Sequence, residues 1–213
     1  MTLEKAEKSD LRIVAGSLKG RKVTVLVHPG MRPTPQMVRE ALFSILGNAV
    51  PGRIFYDIFA GSGVVGLEAV SRGASRANLI ERDAKQASDI FKYITQFKIA
   101  DKASVLRADV YRWAERWVPP VGSGPVNLFL SPPFADLQPE KIGEFMKLVN
   151  GLLDKAPDES VLTIQAEDGF PVEQLVDLPV WDVRQYGRNM LLFRVKGDVV
   201  EVEPAPKPAL KPD

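Results

Sequence analysis

The chain has 213 residues, 45% of them hydrophobic, and a formal net charge of +1, which suits one large domain with a buried core and excludes a uniformly basic nucleic-acid binder. It has no cysteine and one histidine, His28, which excludes disulfides and thiol nucleophiles and gives no basis for a metal site. The sequence shows no apolar signal segment and no run of membrane-spanning length. We therefore expect a cytoplasmic protein with neither a metal nor a membrane partner.

The first 52 residues are predicted to form an extension ahead of the main domain. Residues 1–10 are polar and are expected to be disordered. Residues 11–27 hold two β-like runs around residues 17–20, which predicts a hairpin, and a turn-rich loop follows. Thr34 and Pro35 suit the N-cap and first position of a helix. Its predicted apolar face consists of Val38, Ala41, Leu42 and Ile45, with Arg39, Glu40 and Phe43 off that face.

Basic side chains are concentrated in this extension. Residues 11–53 contain seven Lys or Arg and one acidic residue, a local net charge of +6. Such asymmetry indicates an anionic partner, although a solvated charged face has the same composition.

The stretch RIFYDIFAGSGVVGLE, residues 53–68, predicts a buried strand, a glycine turn and a helix. The spacing of Gly61, Gly63 and Gly66 fits the dinucleotide fingerprint, and such a turn lets a ligand approach the backbone. Asp57 stands near the end of the strand, where a carboxylate repels a pyrophosphate but not the ammonium and sulfonium of S-adenosylmethionine. This charge favours S-adenosylmethionine over NAD. A packing turn with Asp57 as a helix cap remains the alternative.

From residue 53 onward strands and helices alternate, which predicts an α/β fold with a mostly parallel seven-stranded sheet, helices on both faces and a final antiparallel hairpin. Strands are predicted at 53–59, 77–81, 104–107, 126–130, 160–165, 181–186 and 190–195. The domain spans residues 53–196, and the proline-rich tail 197–213 is expected to be disordered. The turns after the first four strands of this sheet are expected to meet in one cleft.

Two acidic residues end neighbouring strands of this predicted cleft. Glu81 lies 20 residues after Gly61, where a carboxylate can accept hydrogen bonds from both ribose hydroxyls of an adenosine. Asp109 can accept a hydrogen bond from an adenine amine, or cap the following helix, or do both. Trp113 and Trp117 in that helix are interpreted as core residues.

The tetrapeptide Ser131-Pro132-Pro133-Phe134 follows the fourth strand of the sheet. Paired prolines end the strand and stiffen the loop. A serine hydroxyl and a backbone carbonyl can accept the two N–H bonds of an exocyclic amine, and Phe134 offers a face on which a base can stack. The alternative is a rigid loop with a core phenylalanine.

These motifs in this order resemble the amino methyltransferases that use S-adenosylmethionine. The segments RIVAGSLKGRKV, RPTPQMVREALFSIL and DIFAGSGVVGLEAVSRGA resemble the RsmD family, which methylates N2 of a guanine in small-subunit (16S) ribosomal RNA. The similarity covers roughly residues 11–195. It implies a Rossmann-like class I methyltransferase fold, S-adenosylmethionine as cofactor, ribosomal RNA or the small subunit as partner, and a monomer.

The resemblance also implies site residues. The implied cofactor-binding residues are Asp57, Phe59, Ala60, Gly61, Ser62, Gly63, Glu81, Arg82, Ala108 and Asp109. The implied catalytic residues are Ser131, Pro132, Pro133 and Phe134. The implied RNA-binding residues are Arg12, Lys19, Arg21, Lys22, Arg32 and Arg39.

Ser131 departs from the family pattern, which usually has Asp before Pro-Pro-Phe. A hydroxyl is a weaker acceptor than a carboxylate and does not offset positive charge on the amine. Three outcomes stay open: normal activity, activity on another amine such as adenine N6 or cytosine N4, or a silenced RNA-binding homologue. We expect that methyl transfer is retained, because the cofactor motifs are intact.

Overall fold

The computed structural model describes residues 7–27 and 33–197. Its strands are β1 (Glu7–Arg12), β2 (Lys22–Val27), β3 (Ile54–Ile58), β4 (Arg76–Glu81), β5 (Ala103–Arg107), β6 (Val126–Leu130), β7 (Val161–Glu167), β8 (Asp182–Tyr186) and β9 (Asn189–Val195). Its helices are α1 (Gln36–Leu46), α2 (Val64–Ser71), α3 (Ala84–Gln96), α4 (Val110–Arg116) and α5 (Ile142–Lys155).

Seven strands form the main sheet in the order β5-β4-β3-β6-β7-β9-β8. The five strands from β5 to β7 are parallel, and β9 pairs antiparallel with both β7 and β8. The predicted Rossmann-like fold with a closing hairpin is confirmed. The chain runs outward from β3 to β5 and then restarts at β6 beside β3, so a topological switch point lies between β3 and β6. Ligands of such sheets bind at the carboxyl ends of the strands at this point.

Two hydrophobic clusters cover the two faces of the sheet. One joins α1, α2, α3 and the hairpin to the sheet, and includes Ile13, Val38, Leu67 and Ile90. The other joins α4 and α5 to the opposite face, and includes Trp117, Phe145 and Leu152. The amino-terminal extension therefore shares a core with the main sheet.

The first strand begins earlier than predicted. Residues 7–10, which we expected to be disordered, belong to β1 and pair in register with β2. Polar contacts take the place of the expected apolar alternation: Thr24 Oγ1 donates to Asp10 Oδ1 at 2.7 Å, and Lys22 Nζ lies 3.3 Å from Asp10 Oδ2. Residues 13–16, predicted as strand, belong to the connection to β2, where the Ser71 hydroxyl of α2 donates to the Ala15 carbonyl.

The buried face of α1 also differs from the predicted one. Arg39 and Phe43 are 1% and 3% exposed, although both were placed off the apolar face. Helix α1 begins at Gln36 with Pro35 as its N-cap residue. Thr34 does not cap it, because its hydroxyl donates to Gln165 Oε1 of β7 at 2.7 Å.

Several predictions fall on residues 1–6, 28–32 and 198–213, which lie outside the described part of the chain. They include the disorder of the first six residues, the loop with His28, the RNA contact of Arg32 and the disorder of the tail. Among the described residues, no helix is long and apolar enough to cross a membrane, and no cluster of acidic and histidine side chains could hold a metal ion.

Candidate active site

Backbone hydrogen bonds bring four strand ends together at the carboxyl edge of the sheet. The Ala60 amide donates to the Ile80 carbonyl at 2.9 Å, and the Ala108 amide donates to the backbone carbonyl of Glu81 at 3.1 Å. The Ser131 amide donates to the Ile58 carbonyl at 3.3 Å. The segments after β3, β4, β5 and β6 are therefore neighbours, as the strand pattern predicted.

The turn after β3 needs glycine for two separate reasons. Gly61 and Gly63 have φ angles of 52° and 72°, in the left-handed region that favours glycine. Gly66 lies inside α2, where a Cβ would stand 2.8 Å from the Leu79 side chain. Its absence lets α2 pack closely on β4. Phe59 also has a positive φ of 66°, a strained angle at the end of β3.

The Asp57 side chain supports this turn from the side of α2. Its side chain is 1% exposed, and its Oδ2 accepts a hydrogen bond from the Gly66 amide at 2.8 Å. Burial raises the pKa of the Asp57 carboxyl to about 7, and the Glu81 charge adds to that effect against the Gly66 hydrogen bond. The carboxylate thus faces α2 in this structure. Its contact with the methionine half of a cofactor remains a prediction.

Glu81 is held rigidly beside the turn. Its two oxygens accept hydrogen bonds from the Gly61 and Asp83 amides, each at 2.7 Å. Glu81 is 9% exposed, and each of its carboxylate oxygens keeps a second lone pair for a ligand. The sequence predicted a ligand-binding acid here but not its bond to the glycine turn. The next residue, Arg82, is exposed.

Asp109 caps α4, one of the two roles predicted for it. Its Oδ1 accepts a hydrogen bond from the Arg112 amide at 3.2 Å. Asp109 and the preceding Ala108 are half-buried at the cleft edge. A contact of either residue with adenine remains a prediction.

The segment after β6 presents an aromatic ring to solvent. Phe134 is 61% exposed and begins a short 3₁₀ helix, Phe134–Leu137, so the alternative of a core phenylalanine is wrong. Ser131 and Pro132 are half-buried, and Pro133 is exposed. Within the described part of the chain, the Ser131 hydroxyl makes no hydrogen bond. The ring and the hydroxyl are both free to meet a ligand.

Two further residues of this edge gave no signal in the sequence. The Tyr111 ring in α4 packs edge-on against Phe59, with centroids 6.0 Å apart. The Tyr111 hydroxyl donates to Asp136 Oδ2 at 2.9 Å. These contacts connect segments that are 52 and 25 residues apart in the sequence, a proximity that no local motif encodes. Trp113 and Trp117 contact the Tyr56 ring in the core, as predicted.

The predicted RNA-binding residues divide into two groups. Arg12, Lys19, Arg21 and Lys22 are exposed on or next to the hairpin, where they can contact phosphates. Arg39 is buried, and its guanidinium donates to the Thr34 and Arg12 carbonyls at 2.7 and 2.8 Å and lies 3.3 Å from Glu68 Oε2. The prediction that Arg39 binds RNA is wrong, because all of these contacts are internal.

The charges around the glycine turn match one class of cofactor better than another. The acidic residues Asp57 and Glu81 flank the turn, and both are buried. A pyrophosphate there would meet negative potential, whereas an ammonium group and ribose hydroxyls would find acceptors. These acceptors therefore fit S-adenosylmethionine.

Comparisons with known proteins agree with this geometry. The model of the family described as "Conserved hypothetical protein 95" matches residues 11–195. Ribosomal RNA small subunit methyltransferase D of Escherichia coli (strain K12) is 34% identical over 165 residues, 76% of this chain and 78% of that protein. The chain belongs to the RsmD family.

Solved structures support the family fold. A putative methyltransferase, yhhF from Escherichia coli, matches with a TM-score of 0.69 at 26% identity, covering 89% of this chain and 100% of that one. The 16S rRNA N2 G1207 methyltransferase RsmC of T. thermophilus, in complex with AdoMet and guanosine, matches with a TM-score of 0.66 at 20% identity. That alignment covers 91% of this chain and 51% of RsmC. It shows that this chain has the same fold as the aligned half of RsmC.

Proposed function

We propose that this chain transfers a methyl group from S-adenosylmethionine to the exocyclic N2 amine of a guanine in small-subunit ribosomal RNA. The observation that supports this proposal most directly is the position of the exposed Phe134 ring and the half-buried Ser131, beside the glycine turn at the switch point of the sheet. Membership of the RsmD family supports the same reaction. Residues 53–196 would form the methyltransferase domain and residues 11–52 the RNA-binding extension of a cytoplasmic monomer.

The cofactor would be held by the ends of three strands. Residues 59–63 would border its methionine half, through a backbone that the glycines leave open. Glu81, already aligned by two backbone amides, would accept hydrogen bonds from the ribose hydroxyls. Ala108 and Asp109 would border the adenine, with Arg82 at the rim. S-adenosylmethionine would supply the electrophilic methyl group.

The segment from Ser131 to Phe134 would orient the target amine. The lone pair of a guanine amine is delocalised into the ring, which makes the nitrogen a weak nucleophile. The Ser131 hydroxyl and the Pro132 carbonyl would each accept one N–H bond and draw the nitrogen toward tetrahedral geometry. Phe134 would stack on the base and keep the amine in line for direct transfer. The chain would thus act mainly by positioning, without a covalent intermediate.

RNA would be bound through its phosphates. The exposed hairpin residues Arg12, Lys19, Arg21 and Lys22 would attract phosphates without reading the bases. The target guanine must leave its stack to reach Ser131, at a cost of about a few kcal/mol, so a looped or single-stranded site would be favoured.

Ser131 favours a second candidate function. Because a neutral hydroxyl replaces the carboxylate usual in the family, the same site would also suit adenine N6 or cytosine N4, or RNA binding without turnover. The cofactor site would be unchanged in all of these cases.

Transfer of tritium from labelled S-adenosylmethionine to small ribosomal subunits of a host lacking this activity tests the proposal. We expect label in the small but not the large subunit. Ser131→Ala should lower the rate, and Ser131→Asp should retain or raise it. No label with the wild type, together with label from Ser131→Asp, would indicate a silenced enzyme.

A further inference from the structure

The hydrogen bond between Tyr111 and Asp136 ties together two segments of the cleft. Tyr111 is the second residue of α4, and its hydroxyl donates to Asp136 Oδ2 at 2.9 Å. Asp136 belongs to the 3₁₀ helix Phe134–Leu137, which continues directly from Ser131-Pro132-Pro133. The bond therefore anchors the segment after β6 to the helix after β5.

The Tyr111 ring also contacts the third segment of the cleft. It packs edge-on against Phe59, with an interplanar angle of 71°. Phe59 has a φ of 66° at the start of the glycine turn after β3. One side chain thus connects the turn expected to carry the cofactor with the segment expected to carry the base.

The Phe134 ring lies at the start of this anchored 3₁₀ helix. It is 61% exposed and, within the described residues, stacks on no other aromatic ring. Its backbone is held by short-range contacts: the Asp136 amide donates to Pro133 at 2.9 Å, and Gln138 Nε2 donates to the Phe134 carbonyl at 3.3 Å. The Asp136 side chain connects this small unit to α4, and Leu137 packs against the core below.

The chemistry of the pair makes this tether strong. A tyrosine hydroxyl is protonated at neutral pH even at its ordinary pKa of about 10, and burial, followed by the hydrogen bond to Asp136, raises the pKa of Tyr111 further, so the donor is kept to higher pH. Lys141 Nζ lies 4.0 Å from the other oxygen, Oδ1, which leaves Oδ2 to Tyr111. A hydroxyl that donates to a carboxylate makes a stronger bond than a neutral pair does.

We propose that Tyr111 and Asp136 are a positioning pair for methyl transfer, which fixes the Phe134 platform relative to the cofactor turn at Phe59. This role rests on the proposed function. Neither side chain would touch the reacting atoms. Their effect would be on the alignment of the amine with the methyl group, to which transfer rates are sensitive.

The test compares single-turnover rates, cofactor affinity and RNA affinity in matched variants. Tyr111→Phe keeps the ring contact with Phe59 and removes only the donor, so the single-turnover rate should fall by about tenfold, while the Kd values for S-adenosylmethionine and for RNA stay within about twofold. Asp136→Asn keeps an acceptor oxygen, so its transfer rate should fall by less than that of Tyr111→Phe. The variant that combines Tyr111→Phe with Asp136→Asn should transfer no more slowly than Tyr111→Phe alone, because the two residues share one bond. The control is Asp182→Asn, which replaces an exposed carboxylate that is bonded to Arg184 on edge strand β8. This variant should keep the wild-type rate.

Hydrogen exchange supplies a readout that needs no turnover. The amides of Ser131 and of residues 134–138 should exchange faster in Tyr111→Phe than in the wild type, while those of β6 stay protected. An active wild type with an unchanged single-turnover rate in Tyr111→Phe would overturn the positioning role alone, whether or not exchange changed. A wild type that transfers no methyl group would overturn the proposed function, and this role with it.

Discussion

Arg39 and Glu68 form an ion pair that is almost completely buried, with side chains 1% and 0% exposed and Nε 3.3 Å from Oε2. The pair joins α1 of the amino-terminal extension to α2, the helix that follows the glycine turn. Arg72 completes the network, with its Nη2 2.8 Å from Glu68 Oε1. The extension is thus fixed to α2 by charge as well as by packing.

Removing the Arg39 charge should destabilise the whole protein. Arg39→Met leaves Glu68 with only the partly exposed Arg72 and leaves the Thr34 and Arg12 carbonyls without their donor. We expect the free energy of unfolding in urea to fall by about 3–5 kcal/mol. Adding Glu68→Leu should recover part of the loss, because no buried charge then remains unpaired.

The matched control for Arg39 is Lys85→Met, which breaks an exposed ion pair with Asp89 at 2.8 Å. This change should cost less than about 1 kcal/mol. Equal losses in the two variants would contradict the assignment of Arg39 as an internal structural residue.

The raised pKa of Asp57, about 7 in the folded protein, should make stability depend on pH. Because the folded state holds this proton more tightly than the unfolded state, the contribution is full below about pH 4 and is lost as pH rises through about 7. Asp57→Asn keeps an oxygen for the Gly66 amide and does not ionise. The stability of the wild type relative to Asp57→Asn should therefore fall between pH 4 and 8, by an amount on the order of a few kcal/mol.

Urea titrations at several pH values measure this difference. Asp154→Asn, which removes an exposed carboxyl on α5, serves as the control and should follow the wild type across the range. Parallel stability curves for the wild type and Asp57→Asn would show that Asp57 is not perturbed by burial.

Glu81 should contribute to cofactor affinity through its charge. Glu81→Gln should weaken binding of S-adenosylmethionine by about ten- to a hundredfold in isothermal titration, because a hydrogen bond to a charged group is worth roughly 1.5–3 kcal/mol. The neighbouring Asp83→Asn is a close control, since Asp83 caps α3 through the Gln86 amide at 2.8 Å and asparagine caps equally well. An equal loss of affinity in both variants would contradict the role of Glu81.

Hairpin charges should control the salt dependence of RNA binding. Replacing Lys19 and Arg21 with glutamine should weaken binding and reduce the slope of log K against log salt concentration by about one per residue. Cofactor affinity should not change. The control replaces Lys102 and Lys147 with glutamine. These exposed residues lie at the amino end of β5 and on α5. The control removes the same amount of charge and should leave the slope unaltered. Equal slopes in the two double variants would place the RNA elsewhere.

Continuous buried strands were the most predictable elements. Residues 126–130 were predicted without error, because all five side chains of β6 are buried and the run is uninterrupted. Residues 7–10 of the polar strand Glu7–Arg12 were missed and only its last two residues fell in the predicted hairpin, because it lies in a two-stranded sheet where pairing with β2 replaces an apolar pattern.

The residues predicted least well are those whose role depends on distant partners. A sequence pattern treats Arg39 as a surface residue, whereas its burial depends on distant partners: Glu68, 29 positions away, and the Arg12 carbonyl, 27 positions away. The same holds for Thr34, which bonds to Gln165, and for Tyr111, which bonds to Asp136. Motifs located the candidate site, but the contacts that hold it together come from the tertiary fold.

The most direct measurement of the central claim is the identity of the methylated nucleoside. RNA from unmethylated small subunits, incubated with the protein and S-adenosylmethionine, would be digested to nucleosides and analysed by mass spectrometry. We predict N2-methylguanosine with the wild type, and much less with Phe134→Ala. N6-methyladenosine or N4-methylcytidine in its place, or no methylated product at all, would contradict the assignment of guanine N2 as the target.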